Sequence, residues 1–198
     1  MSVRPSSVHY FSQRLMHKLE GLLTAPVTVV EAPSGYGKTT AVRDYLQGHL
    51  SGLAVHWWNA IPDAPEASWT RLCAEIAQID PMAGNQLLMA GFPRLMSSWE
   101  TAKMVSCLRC ERATVLVLDD FHLLQSDLPR AVISALLGYA GVNLHLVIIT
   151  QTARPLPISY YERSGAHYIG AADLRLDQED VQRYCRLCGI SLSTEETE

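Results

Sequence analysis

The residues with the clearest potential for chemistry form a glycine-bearing turn that is followed by a lysine and two threonines. The segment APSGYGKTT occupies positions 32–40 and comes directly after the apolar run VTVVE. Glycines let successive backbone N–H groups curl toward phosphate oxygens, and a helix beginning at the lysine adds its positive N-terminal end. The pattern therefore indicates a phosphate-binding loop of the Walker A type. Its candidate nucleotide-binding residues are Ser34, Gly35, Tyr36, Gly37, Lys38, Thr39 and Thr40.

The side chains of this loop have separate expected roles. Lys38 can reach the β- and γ-phosphates of a nucleotide, the Thr39 hydroxyl lies where Mg²⁺ would bind, and Thr40 is placed to contact the α-phosphate. Tyr36 either packs near the nucleotide or braces the turn. The full pattern G-x-x-x-x-G-K-[ST] has glycine at the position of Ala32. The part of the pattern that surrounds the phosphates is intact.

Two aspartates follow another apolar run, TVLVL, at the position where a Mg²⁺-dependent NTPase carries its Walker B carboxylates. Asp119 is expected to hold Mg²⁺ through the water shell of the ion, because Mg²⁺ keeps several of its waters. Asp120 is the candidate catalytic residue, which would orient or deprotonate an attacking water. The alternative is a pair of solvated aspartates at an ordinary strand-to-loop turn.

Strands and helices in alternation are predicted to position these motifs. Short apolar runs rich in β-branched residues lie between segments of helical periodicity, a pattern typical of a parallel sheet covered on both faces. We predict strands over 27–31, 53–57, 114–118, 144–150 and 166–170. We predict helices over 8–23, 38–49, 64–79, 97–112, 128–139 and 178–188, with one short helix inside 80–93. Ser97 with Glu100 predicts a capping box, and Asp177 predicts an N-cap.

Composition excludes several classes of protein. A chain of 198 residues that is 48% apolar can build one domain with a full core and no disulfides. Sixteen basic and twenty acidic residues give a net charge of −4, which argues against nucleic-acid binding by electrostatics alone. No secretory signal is visible, and no apolar stretch approaches the roughly 20 residues that cross a bilayer. We therefore expect a cytoplasmic protein without a membrane span.

Two C-x-x-C pairs are candidates for a metal site, because this spacing also occurs in zinc-binding proteins. The pairs are Cys107 with Cys110 and Cys185 with Cys188. Both fall in segments of helical periodicity, so we interpret them as small core residues, with zinc binding and redox chemistry as the alternatives. The four tryptophans are likewise interpreted as anchors of the core and of helix faces.

With these motifs in place, the sequence resembles the nucleotide-binding domain of the STAND NTPases. Within that class it is most similar to the large LuxR-type transcriptional regulators of the maltose-regulon-activator type. The match is carried by APSGYGKTT at 32–40, LVLDDFHLL at 116–124, LHLVIITQTARPLP at 144–157 and AADLRLDQEDV at 171–181. It spans almost the whole chain, and alanine at position 32 is normal in this family.

The resemblance implies a fold and one further site. The fold is the α/β three-layer sandwich of P-loop NTPases, with a five-stranded parallel sheet of order 5-1-4-3-2 and helices on both faces. The further site is a sensor of the γ-phosphate at the end of the fourth strand. Its candidates here are Thr150, Gln151 and Arg154.

The resemblance also implies a regulatory function that uses ATP, ADP and Mg²⁺. Residues 1–198 would be the N-terminal nucleotide-binding domain of a longer regulator, a weak ATPase that acts as a switch. ATP with an inducer would favour a self-associating, DNA-binding state, whereas ADP would favour a resting monomer. The lid, the sensor and the helix-turn-helix would lie in later domains, so DNA would be bound only through the parent chain.

Two other classes of function stay open. The first is a P-loop enzyme with rapid nucleotide turnover, which would need a substrate-binding insert with convergent basic residues. The stretch 80–103 contains only Arg94 and Lys103 as basic residues. The second is an interaction scaffold that uses the fold without nucleotide, against which the intact Lys38, Thr39 and aspartate pair argue.

Overall fold

A five-stranded parallel sheet lies at the centre of the computed structural model, which describes residues 9–49, 51–151 and 164–190. The strands are β1 (Val27–Glu31), β2 (Ala54–Asn59), β3 (Thr114–Asp119), β4 (Leu144–Thr150) and β5 (His167–Ile169). Their spatial order is β2-β3-β4-β1-β5, and every pair is parallel. The predicted α/β class and the order 5-1-4-3-2, which is the same order read from the opposite edge, are confirmed.

Helices occupy the connections between the strands. They are α1 (Gln13–Leu19), α2 (Gly21–Thr24), α3 (Lys38–Gln47), α4 (Pro65–Ile79), α5 (Pro81–Ala90), α6 (Ser98–Ser106), α7 (His122–Gln125), α8 (Arg130–Leu137), α9 (Ala171–Leu174) and α10 (Gln178–Leu187). Among these described helices, none is long and apolar enough to cross a membrane.

Each face of the sheet is buried against its own layer of helices. Leu116 and Leu118 of β3 belong to one apolar layer, together with residues of α4, α5, α6 and α8. Val115 and Val117 of the same strand belong to the other layer, which includes residues of α1, α2 and α3. Alternate side chains of a strand point to opposite faces, so burial on both faces explains the continuous apolar runs in the sequence.

Tertiary contacts decide where several predicted helices begin and end. The range 8–23 holds two short helices, and the helix predicted over 97–112 ends at Ser106. Beyond that end the backbone turns away, and the carbonyl of Leu108 accepts a hydrogen bond of 2.8 Å from the Tyr139 hydroxyl. A distant tyrosine thus replaces the continuation of the helix, which no local periodicity could show.

One of the two predicted helix caps is present. Asp177 accepts the Asp180 N–H at 2.8 Å, and the Asp180 carboxylate in turn accepts the Asp177 N–H at 3.2 Å. The capping box predicted at Ser97 is wrong, because that residue has helical backbone angles and its hydroxyl makes no cap bond. Its oxygen instead accepts the Arg94 N–H at 3.2 Å, within the preceding turn.

The cysteine pairs are not core residues, so that interpretation is wrong. Cys107 and Cys188 are exposed, and Cys110 and Cys185 are partly buried, whereas the unpaired Cys73 is the buried cysteine of the chain. Both exposed cysteines lie at the C-terminal cap of a helix, where the side chain has left the buried face. Within the described residues, no three His, Cys, Asp or Glu side chains are grouped to hold a metal ion.

The tryptophans differ from one another in burial. Trp58 and Trp69 are buried in the core, as expected. Trp57 is partly buried, and Trp99 on α6 is 80% exposed, so the interpretation of Trp99 as an anchor is wrong.

Helices α4 and α5 approach closely at one glycine. A Cβ built on Gly84 would lie 2.3 Å from the backbone nitrogen and Cα of Ala77. The short helix predicted inside 80–93 is a ten-residue element, Pro81–Ala90. It begins after the capping residue Asp80 and is followed by Gly91, which has a φ of 72°. Only glycine permits this distance between the two helix backbones.

We predict that Gly84→Ala lowers the free energy of unfolding by about 1 to 3 kcal/mol, because the added methyl forces the two helices apart. Urea denaturation followed by circular dichroism measures the change. Gly48→Ala is the matched control, since its Cβ would meet nothing closer than 3.5 Å and its φ is −70°. The control should be neutral or slightly stabilising. Equal losses in both variants would contradict the close approach.

Candidate functional site

The candidate site lies at the edge of the sheet where the carboxyl ends of β1, β3 and β4 meet. The loop 32–37 follows β1 and leads into α3, Asp119 is the last residue of β3, and Thr150 is the last residue of β4. Strand β4 lies between the other two strands. Open α/β sheets bind their ligands at this edge, so the fold brings the predicted motifs to the expected place.

Two glycines give the loop its shape. Gly35 and Gly37 have φ angles of 84° and 74°, in the left-handed region that side chains disfavour. A Cβ on either glycine would meet no atom within 4 Å, so the backbone angle rather than crowding requires glycine. The space over the loop is open. Gly37 also begins α3, since its carbonyl accepts the Ala41 N–H at 2.8 Å.

The ammonium group of Lys38 is buried beneath this loop. Its Nζ donates to the carbonyl oxygens of Ala32 and Pro33 at 2.8 and 2.9 Å, while the residue is only 8% exposed. Burial lowers the pKa of Lys38, although the nearby charges of Asp120 and Asp119 act in the opposite direction. Both hydrogen-bond acceptors are neutral carbonyls, so the positive charge of Lys38 would attract an anionic ligand in the open space above the loop.

Thr39 and Asp119 meet although 80 residues separate them in the chain. The Thr39 hydroxyl donates to Oδ1 of Asp119 at 3.2 Å, and the Asp120 N–H donates to the same oxygen at 2.9 Å. Asp119 is 2% exposed, and burial raises its pKa, with the Asp120 charge adding to the rise. The Asp120 N–H, the Thr39 hydroxyl and the indole N–H of Trp57 each lower the pKa in part.

Asp120 has a left-handed backbone with a φ of 51°. Asp tolerates this region better than most residues, and the turn lets its N–H fold back onto Asp119. Its own side chain is partly buried and close enough to Lys38 to raise the pKa of that lysine. The second aspartate therefore lies near enough for its charge to act on the ammonium group.

The oxygen atoms at the corner formed by Thr39 and Asp119 fit Mg²⁺. The ion prefers hard oxygen ligands, and the corner offers the hydroxyl of Thr39 and the carboxylate of Asp119 in direct contact with each other. A buried carboxylate whose pKa is raised by burial would also gain from a nearby cation. These two residues would hold the metal.

A pocket of about 320 Å³ opens beside the phosphate loop. Its volume is within the range of small-molecule sites, and aromatic and aliphatic side chains dominate its lining. The loop contributes Tyr36, and the start of α3 contributes Thr40. The other large side chains are His9, Tyr10, Phe11, Leu15, Leu174, Leu176 and Tyr184. The N-terminal segment, the loop and the region around α10 thus form one concave wall.

Two hydrogen bonds tie the walls of this pocket together. The Arg175 guanidinium donates to the Tyr36 hydroxyl at 3.2 Å, and its carbon lies 5.9 Å from the centre of the tyrosine ring. The Tyr10 hydroxyl donates to Asp180 at 2.9 Å. Tyr36 therefore does brace a contact in this structure, and its ring also faces the pocket.

The predicted site residues occupy three kinds of position. Lys38, Thr39, Asp119 and Asp120 come together in one corner, as described above. Ser34 is exposed in the loop. At the end of β4, Thr150 is buried and Gln151 is partly buried, whereas Arg154 lies outside the described residues. Sequence reasoning missed Trp57 and Arg175, whose contacts are described here and below.

A larger cleft, of about 900 Å³, lies at the opposite edge of the sheet. Ala54 and Thr114, which begin β2 and β3, line it together with Cys107 and Cys110. No residue of the phosphate loop reaches it. Size alone therefore does not select the candidate site, and the polar groups predicted from the sequence lie at the carboxyl edge instead.

The architecture is the α/β fold of P-loop NTPases. Among solved structures, a Walker-type ATPase of Pyrococcus abyssi matches with a TM-score of 0.50 at 14% identity, covering 100% of this chain and 65% of that one. The ORC1 protein of Aeropyrum pernix, solved in complex with DNA, matches with a TM-score of 0.54 at 14% identity, over 93% of this chain and 50% of that one. No protein-family model matches the chain.

The sequence is similar to transcriptional regulators named MalT. It is 26% identical over 191 residues to the HTH-type transcriptional regulator MalT of Yersinia enterocolitica, and 26% identical over 180 residues to that of Serratia proteamaculans. Each match covers 88% of this chain and 20% of the relative, so the chain spans about a fifth of the length of the curated relatives it matches. The resemblance inferred from the motifs is thereby confirmed.

We predict that Gly37→Ala weakens the binding of inorganic pyrophosphate at least tenfold, since it strains the loop and places a methyl in the open space above it. Isothermal titration calorimetry measures the affinity. Gly52→Ala is the control, because Gly52 also has a positive φ, 79°, and open space but lies in the turn before β2. Both variants should lose about 1 kcal/mol of stability. Equal pyrophosphate affinity in the two would show that the loop is not a phosphate site.

Proposed function

We propose that this chain binds Mg-ATP and Mg-ADP and serves as the nucleotide-responsive domain of a transcriptional regulator. The observation that carries the proposal is the corner in which the buried Lys38, Thr39 and the aspartate pair converge under an open glycine loop. Cationic and metal-binding groups at this spacing suit a chain of phosphates with its magnesium ion.

Binding would use the groups already in place. The phosphate oxygens would accept hydrogen bonds from the backbone N–H groups of residues 34–40. The Lys38 ammonium group would give up its hydrogen bonds to two neutral carbonyls and donate to phosphate oxygens instead. Thr39 and Asp119 would hold Mg²⁺, which when bound neutralises charge on the β- and γ-phosphates. The base would lie in the 320 Å³ pocket beside Tyr36, where aromatic side chains can pack against it.

Slow hydrolysis would depend on Asp120. Its charge acts on Lys38, which would hold the γ-phosphate, so the carboxylate would orient an attacking water or accept a proton from it. Thr150 ends the strand between the two motifs and, with Gln151, would contact the γ-phosphate from that side. Arg154 remains a sequence-based candidate for the same role.

The regulatory part of the proposal rests on the relatives. They are named HTH-type transcriptional regulators, and this chain covers only 20% of their length. DNA binding, inducer binding and nucleotide-dependent self-association would therefore belong to the parent chain, in keeping with the net charge of −4 here. Such a regulator would act in the cytoplasm, where the DNA is.

We predict that Lys38→Ala weakens Mg-ATP and Mg-ADP binding about 10- to 100-fold, because it removes a charge-assisted contact with the phosphates. Titration with a fluorescent nucleotide measures the affinity. Lys103→Ala is the control, since Lys103 is an exposed lysine on α6. Unchanged affinity in Lys38→Ala would remove the basis of the proposed function.

We predict that Asp120→Asn keeps nucleotide affinity within about twofold and slows single-turnover hydrolysis about 100-fold or more, because the amide cannot accept the proton. Asparagine is chosen because it tolerates the left-handed backbone at a φ of 51°. Hydrolysis at the rate of the parent protein would show that Asp120 is not the catalytic residue.

A further inference from the structure

The indole N–H of Trp57 is buried and has no full hydrogen-bond partner. Buried donors in proteins are paired in the great majority of cases, and an unpaired one costs about 1 to 3 kcal/mol. An unsatisfied donor next to a binding site therefore points to a partner arrangement that differs from that of the free protein.

The register of the sheet places the Trp57 side chain on the same face as Asp119. Trp57 on β2 pairs with Val117 on β3, so Asp119 lies two residues further along the same face of the neighbouring strand. A long aromatic side chain reaches such a diagonal neighbour. The indole and the carboxyl group are thus diagonal neighbours on one face of the sheet, and the buried N–H makes no hydrogen bond among the described residues of the free protein.

The ring of Trp57 is held in place from α3. The guanidinium carbon of Arg43 lies 4.9 Å from the centre of the indole, a cation–π contact. Arg43 and Thr39 are four residues apart on that helix and so share one of its faces. One side of α3 therefore carries both a hydrogen bond to Asp119 and a contact that fixes the tryptophan beside Asp119.

The two hydrogen bonds to the carboxylate of Asp119 hold the same oxygen. Both the Thr39 hydroxyl and the Asp120 N–H donate to Oδ1. A donor aimed at Oδ2 would fix the rotation of the group about its Cβ–Cγ bond. Orientation matters for Mg²⁺ in particular, because this ion demands near-ideal octahedral geometry, whereas Ca²⁺ accepts a flexible one.

We propose that Trp57 is a positioning residue that, in the magnesium–nucleotide complex, donates its indole N–H to Oδ2 of Asp119 and so favours Mg²⁺ over Ca²⁺. The inference rests on the proposed function, because it needs the metal-bound nucleotide at this site. Arg43 supports the arrangement by holding the indole ring.

The test compares Trp57→Phe, which removes the N–H and keeps a ring under Arg43, with Trp99→Phe as the control. Trp99 is 80% exposed on α6 and has no part in the site. A fluorescent ADP analogue is titrated in EDTA and then against Mg²⁺ or Ca²⁺. For Trp57→Phe, the Mg²⁺ concentration at half-maximal enhancement should rise about 3- to 10-fold, in line with one lost hydrogen bond.

Two further quantities separate positioning from a merely structural role. In Trp57→Phe, nucleotide affinity in EDTA should stay within twofold of the parent protein, and the Ca²⁺ midpoint should shift by less than the Mg²⁺ midpoint. Equal losses in EDTA, Mg²⁺ and Ca²⁺ would mean that Trp57 only packs. An unchanged Mg²⁺ midpoint would overturn the inference while the proposed function stands. A parent protein without Mg²⁺-dependent binding would overturn both.

A measurement on the unaltered protein covers the case in which Trp57→Phe does not fold. The chain has four tryptophans and so gives four indole ¹⁵N–¹H signals. One of them should move downfield with ADP and Mg²⁺ but not with ADP in EDTA, because the N–H gains a charged acceptor only in the metal complex. Arg43→Met, which frees the indole ring, should reduce that shift. Four unmoved signals would contradict the proposal.

Discussion

The site depends on opposite charges that the fold keeps where water is scarce. Lys38 and Asp119 are both buried, and burial shifts the pKa of each group toward its neutral form. Charges removed from water destabilise a protein unless hydrogen bonds and counter-charges offset the loss. Here two loop carbonyls stabilise the ammonium group, and a hydroxyl with a backbone N–H stabilises the carboxylate. The hydrogen-bond partners of both charges are neutral groups, so neither charge is neutralised by the atoms bonded to it.

The sheet makes this arrangement possible because β4 lies between the two strands that carry the motifs. Inserting one strand separates the ends of β1 and β3 enough for a loop to sit above the sheet, yet Thr39 still reaches Asp119. The apolar layers on both faces supply the stability that the site does not. Strained positions such as Asp120, with its positive φ, persist only where the surrounding structure determines them strongly.

The sequence predicts best what local chemistry determines. The glycine loop and the two aspartates could be found because their residue types, their order and the apolar runs before them all follow from short-range rules. The strands could be predicted in the same way, because a strand that is buried on both faces consists of an unbroken run of apolar residues. The strand order itself came from the resemblance to a family rather than from any pattern in the chain.

What sequence reasoning missed depends on partners far along the chain. Beyond the end of α6, the Leu108 carbonyl is bonded to Tyr139 instead of to a continuing helix, and Cys107 at the helix cap is exposed. Trp57 looked like any other apolar residue of a strand, because its nearness to Asp119 follows from the pairing of β2 with β3. Arg175 gave no signal either, since its contact with Tyr36 joins residues 139 positions apart.

That contact has a mechanical consequence. Arg14 donates to the backbone carbonyls of Ala172 and Arg175, and Arg175 in turn holds Tyr36 of the loop. The backbone just before α10 is therefore anchored on one side to α1 and on the other to the phosphate loop. The Tyr10 hydroxyl adds a third link, because it donates to Asp180 within α10 itself. The N-terminal segment, the phosphate loop and α10 are therefore joined by a continuous series of hydrogen bonds, so that displacing one of the three strains the bonds that link it to the others.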